Sequence, residues 1–431
     1  MKTEEALEQL GRTLMAGVSP YHCILDAKKQ LDQAGFTSLD AGAPWEVEPG
    51  RGYYVSLFDS SLMAFSIGPD LGARPSLRME AAHTDWPCLK LKPSPEVPEG
   101  RYGRLNVEVY GGPILNTWMD RPLSMAGKVC TTGASPFCPQ VHFIDMKRPL
   151  LVIPNLAVHM NREVNNGVAL NPQTDMLPLL TLLQEELERD QYFLRLLAEE
   201  TGCRPEDILD YEICVYNLDS CVRTGLHGEF FSSPRLDNLT SVQACLSAIT
   251  GGFRAGGINV IALYDNEEIG SRTKQGALSA VTERMLEKLF LACGYQRDVF
   301  LDAVTNGLLL SMDVAHAVHP NHREKCDIKN RIYPGDGVAL KMAASQSYAT
   351  DASCVSILEH LCRTRNIPYK KFSNRSDMKG GSTLGALSSA QLAMRTMDVG
   401  VPILAMHSAR ELMGASDQAA LVALASEFFL V

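Results

Sequence analysis

Apolar runs of strand length alternate along this chain with longer stretches of helical period, which restricts the fold to an α/β architecture on a largely parallel sheet. Ser19-Pro20 opens a helical stretch with apolar Ile24, Leu25, Ala27, Leu31 and Ala34, and Gly35 follows as its stop. Tyr53 to Phe58, an Asp59-Ser60 turn and Leu62 to Ile67 read as a hairpin, so one edge of the sheet is expected to be antiparallel. Between about Pro95 and Val222 the character changes. KPSPEVPEG reads as a Pro-rich hinge, Leu105 to Tyr110 as a strand, and PFCPQVHF and RPLLVIPNL as further short strands. The stretch LLTLLQEELERDQYFLRLLAEE, with apolar Leu179, Leu180, Leu182, Leu183 and Leu187, predicts an amphipathic helix. The expectation is one core, residues 1–95 and 223–431, interrupted by an inserted lobe over 96–222.

Composition removes several classes of function. The chain has 431 residues, 45% of them hydrophobic and 21% charged, which excludes a disordered or fibrous protein. Fifty acidic against 40 basic side chains give a net charge of −10, with no basic footprint for nucleic acid or an anionic membrane. No uninterrupted run approaches the ~18 apolar residues of a membrane span. The opening MKTEEALEQLGRTLMAG lacks the apolar centre of a secretory signal, so a cytoplasmic location is expected. Twelve cysteines are scattered singly from Cys23 to Cys362 without a C-x-x-C pair and read as reduced, small hydrophobic residues.

The informative pattern is where the apolar runs stop. RMEAAHTD ends in His83 and Asp85, NVIALYDNEE in Glu267 and Glu268, LLLSMD in Asp313 and VPILAMH in His407, while Asp237 stands where a helix should begin. Ligands bind beyond the carboxyl ends of parallel strands, so these endings are expected to converge. Each residue has a structural alternative: a hydrogen-bonded histidine, a helix cap, a solvated pair of acids. Taken together, two histidines and several carboxylates without a thiolate form the N/O ligand set of a hydrolytic two-metal centre. The residues alone leave the substrate open, and a two-metal amidase such as a deacylase or carboxypeptidase, or a catalytically silent scaffold, accommodates them as well.

AAHTDWPCLKLKP, HMNREVNNGVALN, PRLDNL, ALYDNEEIGS, SMDVAHAVHPNH, SYATDA, SDMKGGSTLG and LAMHSARELMGASD resemble, in order and along nearly the whole chain, the M18 family of aspartyl aminopeptidases and their bacterial relatives. The resemblance implies a three-layer αβα catalytic domain of zinc-peptidase type, an inserted β-rich dimerisation domain and a tetrahedral homododecamer. It also implies two zinc ions, with manganese or cobalt as possible substitutes, acting on peptides with a free N-terminus. Carried over by motif, His83 and Asp313 hold one ion, Glu268 and His407 the other, and Asp237 bridges them. Asp85 orients His83, and Glu267 is the general base. His159 in the inserted lobe is expected to reach a neighbouring subunit's site, Lys341 to pair with an acidic substrate side chain, and His316 to border the substrate. Lys379-Gly380 departs from the Pro-Cys or similar pair of many relatives, a change expected to bear on side-chain preference.

Overall fold

The computed structural model describes residues 2–183, 191–378 and 380–431. Contacts divide the chain into two units: Met1–Asp85 with Cys221–Met406 and Glu411–Val431, and Trp86–Ser220 with His407–Arg410.

The first unit is built on a nine-stranded sheet in the order Thr37–Leu39, Gly52–Leu57, Ser61–Ile67, Gly257–Tyr264, Ser76–His83, Leu308–Met312, Arg395–Gly400, Val338–Lys341 and Tyr369–Phe372. The expected hairpin is present, with Gly52–Leu57 antiparallel to Ser61–Ile67. At the centre, Gly257–Tyr264, Ser76–His83, Leu308–Met312 and Arg395–Gly400 are mutually parallel neighbours. All eight residues of Gly257–Tyr264 are buried, which explains why the strand reads as a continuous apolar run: it is covered on both faces. Leu77, Met79 and Ala81 point into a cluster with Leu286, Phe290, Phe300 and Leu392, from helices on one side. Leu236–Thr250 and Asp417–Leu430 pack against the same strands from the other side, completing three layers. Burying each such Leu or Phe stabilises the core by about 1.5–3 kcal/mol.

Ser19 caps the Pro20–Gln33 helix, its side chain accepting from the His22 N–H, with Pro20 in the first turn as expected. A separate five-stranded sheet joins Val222–Thr224, Phe230–Ser233, Glu411–Gly414, Pro402–Leu404 and Ala315–His316. This corrects one expectation. The VPILAMH run does not end a strand of the main sheet, because the chain leaves that sheet after Gly400 and Pro402–Leu404 pairs in the smaller one. Proline has no N–H for a ladder and is accommodated where it stands, at the first position of its strand.

The second unit contains a six-stranded antiparallel sheet in the order Cys138–Asp145, Leu123–Ser135, Ile208–Asn217, Cys88–Glu99, Tyr102–Tyr110 and Leu179–Leu182. The predicted helix from Leu179 is therefore corrected at its start, since Leu179–Leu182 is a strand paired with Tyr102–Arg104. A short apolar run does not distinguish strand from helix by period, and the Tyr102–Tyr110 edge supplies backbone partners. Helix begins at Tyr192 and runs to Thr201, burying Phe193, Leu197 and Ala198; Leu187 lies outside the described residues. RPLLVIPNL forms only isolated bridges at Leu151 and Val152. Among the described residues no disulfide is formed, and Cys138 is the exposed cysteine.

Candidate metal centre

Three adjacent parallel strands deliver the centre of the site. Ser76–His83 lies between Gly257–Tyr264 and Leu308–Met312, so His83, the Asp265–Glu268 turn and Asp313 emerge at the same end of the sheet. His83 is 1% exposed. Its Nε2 lies 3.5 Å from Asp237 Oδ1 and 3.7 Å from Asp313 Oδ1. Donors on a tetrahedral zinc ~2.0–2.2 Å away would stand about 3.3–3.6 Å apart, so this spacing fits such an ion. Ligand atoms of His83, Asp237 and Asp313, and likewise those of His83, Glu267 and Glu268, lie within 4.8 Å of one another. The donors are nitrogen and oxygen only, the donor types of zinc peptidase sites such as His2Glu.

Asp85 does more than the sequence indicated. Its backbone carbonyl is 3.0 Å from His83 Nδ1, with its carboxylate at 3.4 Å. A carbonyl can only accept, so in neutral His83 the hydrogen sits on Nδ1 and the Nε2 lone pair faces Asp237 and Asp313. The same carboxylate accepts from the Glu267 N–H at Oδ1 and the Glu268 N–H at Oδ2, each at 3.1 Å. One aspartate thereby fixes a histidine and the turn carrying both glutamates.

Asp237 is held by contacts that sequence reasoning missed. Its N–H donates to Glu411 Oε2 at 3.0 Å, and neighbouring Asn238 donates from Nδ2 to the Met312 carbonyl at 2.8 Å, beside Asp313. Glu411 is 3% exposed, and its only signal in the sequence is an acid at the head of the apolar strand ELMG.

Burial opposes charge on His83, yet Asp313, Asp85 and Glu267 outweigh it and hold the imidazole well above its ordinary range. Burial, reinforced by Asp313, Asp85 and Asp237 and opposed by His83, pushes Glu267 up to about 8. Glu268 is raised well above the usual carboxylate range, chiefly by burial and then by Asp237. Asp313 goes the other way: burial opposes ionisation, but Lys341 and His83 hold its carboxyl low. Protons retained on His83, Glu267 and Glu268 are ones that a divalent cation held among these side chains would replace as the compensating charge.

Lys341 is 1% exposed and donates to the Asp313 and Val314 carbonyls at 3.2 and 2.8 Å, with Asp313 Oδ2 at 3.6 Å. The Tyr348 ring lies 4.7 Å from its ammonium. His316 is exposed and lines a cavity of about 250 Å³ with His319, Lys325, Arg331 and Arg375. His159 is an exposed turn residue of the second unit. His407 also belongs to that unit, where its Nδ1 is 3.1 Å from the Gly112 carbonyl. That contact leaves the lone pair of the neutral ring on Nε2. Lys379 lies outside the described residues.

A three-layer α/β unit with this ligand cluster defines the class of zinc-dependent peptidases. Residues 14–429 match the family model of the aminopeptidase I zinc metalloproteases, M18. The chain is 43% identical to a "Probable M18 family aminopeptidase 2" of Clostridium acetobutylicum, over 93% of this chain and 92% of that one. To the protein of the same name from Ectopseudomonas mendocina it is 39% identical, over 99% and 98%. Among solved structures, a chain described as "Cryo-EM structure of the Ape4 and Nbr1 complex" superposes with a TM-score of 0.95 at 31% identity, covering 99% of this chain and 86% of that one. An M18 aminopeptidase from Thermotoga maritima, at 22% identity and a TM-score of 0.87 over 99% and 96%, shows the same fold. The chain belongs to the M18 family and is a zinc metalloaminopeptidase. Among the described residues, no helix is long and apolar enough to cross a membrane.

Proposed function

We propose that the chain removes the N-terminal residue from peptides at a two-ion zinc site, with Glu267 as general base. The observation that carries this reading is His83 Nε2 facing the Asp237 and Asp313 carboxylates at 3.5 and 3.7 Å, beside a turn whose Glu267 and Glu268 are tied to Asp85. His83 and Asp313 would hold one ion and Glu268 and His407 the other, with Asp237 between them. Zinc bound there polarises the scissile carbonyl and makes water acidic enough to lose a proton near neutral pH. Glu267 takes that proton as the water oxygen attacks the carbonyl carbon, then passes it to the leaving amine as the C–N bond breaks. A free α-amine on the substrate accounts for action at the chain end only. Manganese and cobalt accept the same donors.

By motif Lys341 would be the cation for an acidic first residue, a role for which its ammonium would have to exchange its present contacts with Asp313 and Val314, and His316 would border the same substrate. Self-association is part of the reading: His159 would enter a neighbouring subunit's site, and residues 96–222 would serve assembly in a tetrahedral dodecamer. A solved structure with the same fold is described as a dodecamer of yeast mApe1. A panel of aminoacyl reporters with acidic and neutral first residues, free and N-blocked, tests the reading with each metal. Free N-termini with Asp or Glu are expected to be hydrolysed fastest. Faster hydrolysis of blocked substrates would overturn it in favour of a deacylase.

A further inference from the structure

Asp398 is fully buried on the Arg395–Gly400 strand and has no place in the chemistry above. Its carboxylate accepts from the Ala349 N–H at 2.5 Å, and its own backbone N–H donates to the Ala349 carbonyl at 3.1 Å. This two-point contact fixes the segment preceding the Ala352–Arg365 helix. Tyr348, immediately before Ala349, is buried, places its ring 4.7 Å from the Lys341 ammonium, and accepts from Asn374 Nδ2 at 2.9 Å. Lys341 in turn donates to the backbone carbonyl of Asp313 and stands 3.6 Å from its carboxylate. The space around Asp398 is closed: a Cβ on Gly385 would come within 2.7 Å of both carboxylate oxygens and 2.6 Å of Ser311 Oγ.

We infer that Asp398 is a positioning residue for the metal ligand Asp313. It braces Ala349 and Tyr348, Tyr348 seats Lys341, and Lys341 holds Asp313. The inference rests on the zinc-site reading above. Groups that contact metal ligands directly typically change metal affinity 10- to 100-fold, and Asp398 acts on one of them, Lys341, through Ala349 and Tyr348.

The test is a zinc competition against a chromophoric chelator on the full chain, with KM, kcat and thermal stability measured alongside. Asp398→Ala is expected to weaken zinc binding by about tenfold, with KM for a neutral aminoacyl reporter, which does not call on Lys341, unchanged. Asp398→Asn retains an acceptor for the Ala349 N–H and is expected to restore affinity to within about threefold. Should Asp398→Ala fail to fold, Gly385→Ala displaces the carboxylate without deleting it and is expected to give the same tenfold loss. A folded Asp398→Ala or Gly385→Ala variant with wild-type zinc affinity, whatever its thermal stability, overturns the inference alone. A wild-type chain that takes up no zinc overturns this inference and the zinc-site reading together.

Discussion

Asp85→Asn isolates the contact that ties the two glutamates to the histidine. His83 keeps its orientation in this variant, because the nearer acceptor for Nδ1 is the Asp85 backbone carbonyl at 3.0 Å. The carboxylate currently serves two N–H donors, Glu267 and Glu268, at 3.1 Å each. An asparagine offers one carbonyl oxygen to one of them and sets its own NH2 group against the other. One hydrogen bond to a charged acceptor is lost, worth about 1.5–3 kcal/mol. At 1.36 kcal/mol per decade this is roughly a 10- to 150-fold effect. It falls on the turn that carries the base and a metal ligand, so zinc affinity and kcat should share the loss while KM stays near its wild-type value. Chelator competition gives the first quantity, and turnover of a zinc-saturated aminoacyl reporter gives the second. Both remaining within twofold of wild type would refute the claim that this carboxylate fixes the turn.

Zinc affinity is expected to rise with pH from 6 through about 8, read by chelator competition across that range. The sign follows from His83 being held above its ordinary range and Glu267 being raised to about 8: the metal-free chain carries protons there that zinc must displace or repel. An affinity independent of pH would contradict these shifts. Lys341→Met removes one partner of the buried pair with Asp313, and the metal-free chain is expected to lose about 3–5 kcal/mol in denaturant unfolding, less when loaded with zinc. Equal losses with and without metal would show that Asp313 does not gain compensation from the ion. Ser19→Ala removes the cap of the Pro20–Gln33 helix and should cost about 1 kcal/mol, seen as a lower unfolding midpoint at unchanged slope.

The central strands were legible because strands covered on both faces are predominantly apolar, so the residues where RMEAAH and LLLSMD stop stand out, even with Glu80 buried within the first. Their order across the sheet was not legible, because Gly257–Tyr264 joins its neighbour Ser76–His83 only after Trp86–Ser220 of the second unit has intervened in sequence. His407 was noticed through the same apolar-run signal, yet its strand lies in another sheet; a pattern of hydrophobicity records burial, not which sheet is joined. Leu179–Leu182 was misread for a related reason, since its partner edge at Tyr102–Arg104 is distant in sequence and supplies what local period cannot. The supports of the site were the least visible. Glu411 holds Asp237 from 174 positions away, and the double use of Asp85 depends on backbone N–H groups that every residue possesses.

The central claim is that Glu267 moves the proton in a zinc-dependent peptide hydrolysis. Its most direct test is kcat of Glu267→Gln on a free aminoacyl reporter, with bound zinc measured in the same sample. The account predicts a fall of about 10²- to 10⁴-fold with zinc content equal to wild type. Near-normal turnover at full zinc occupancy would contradict it.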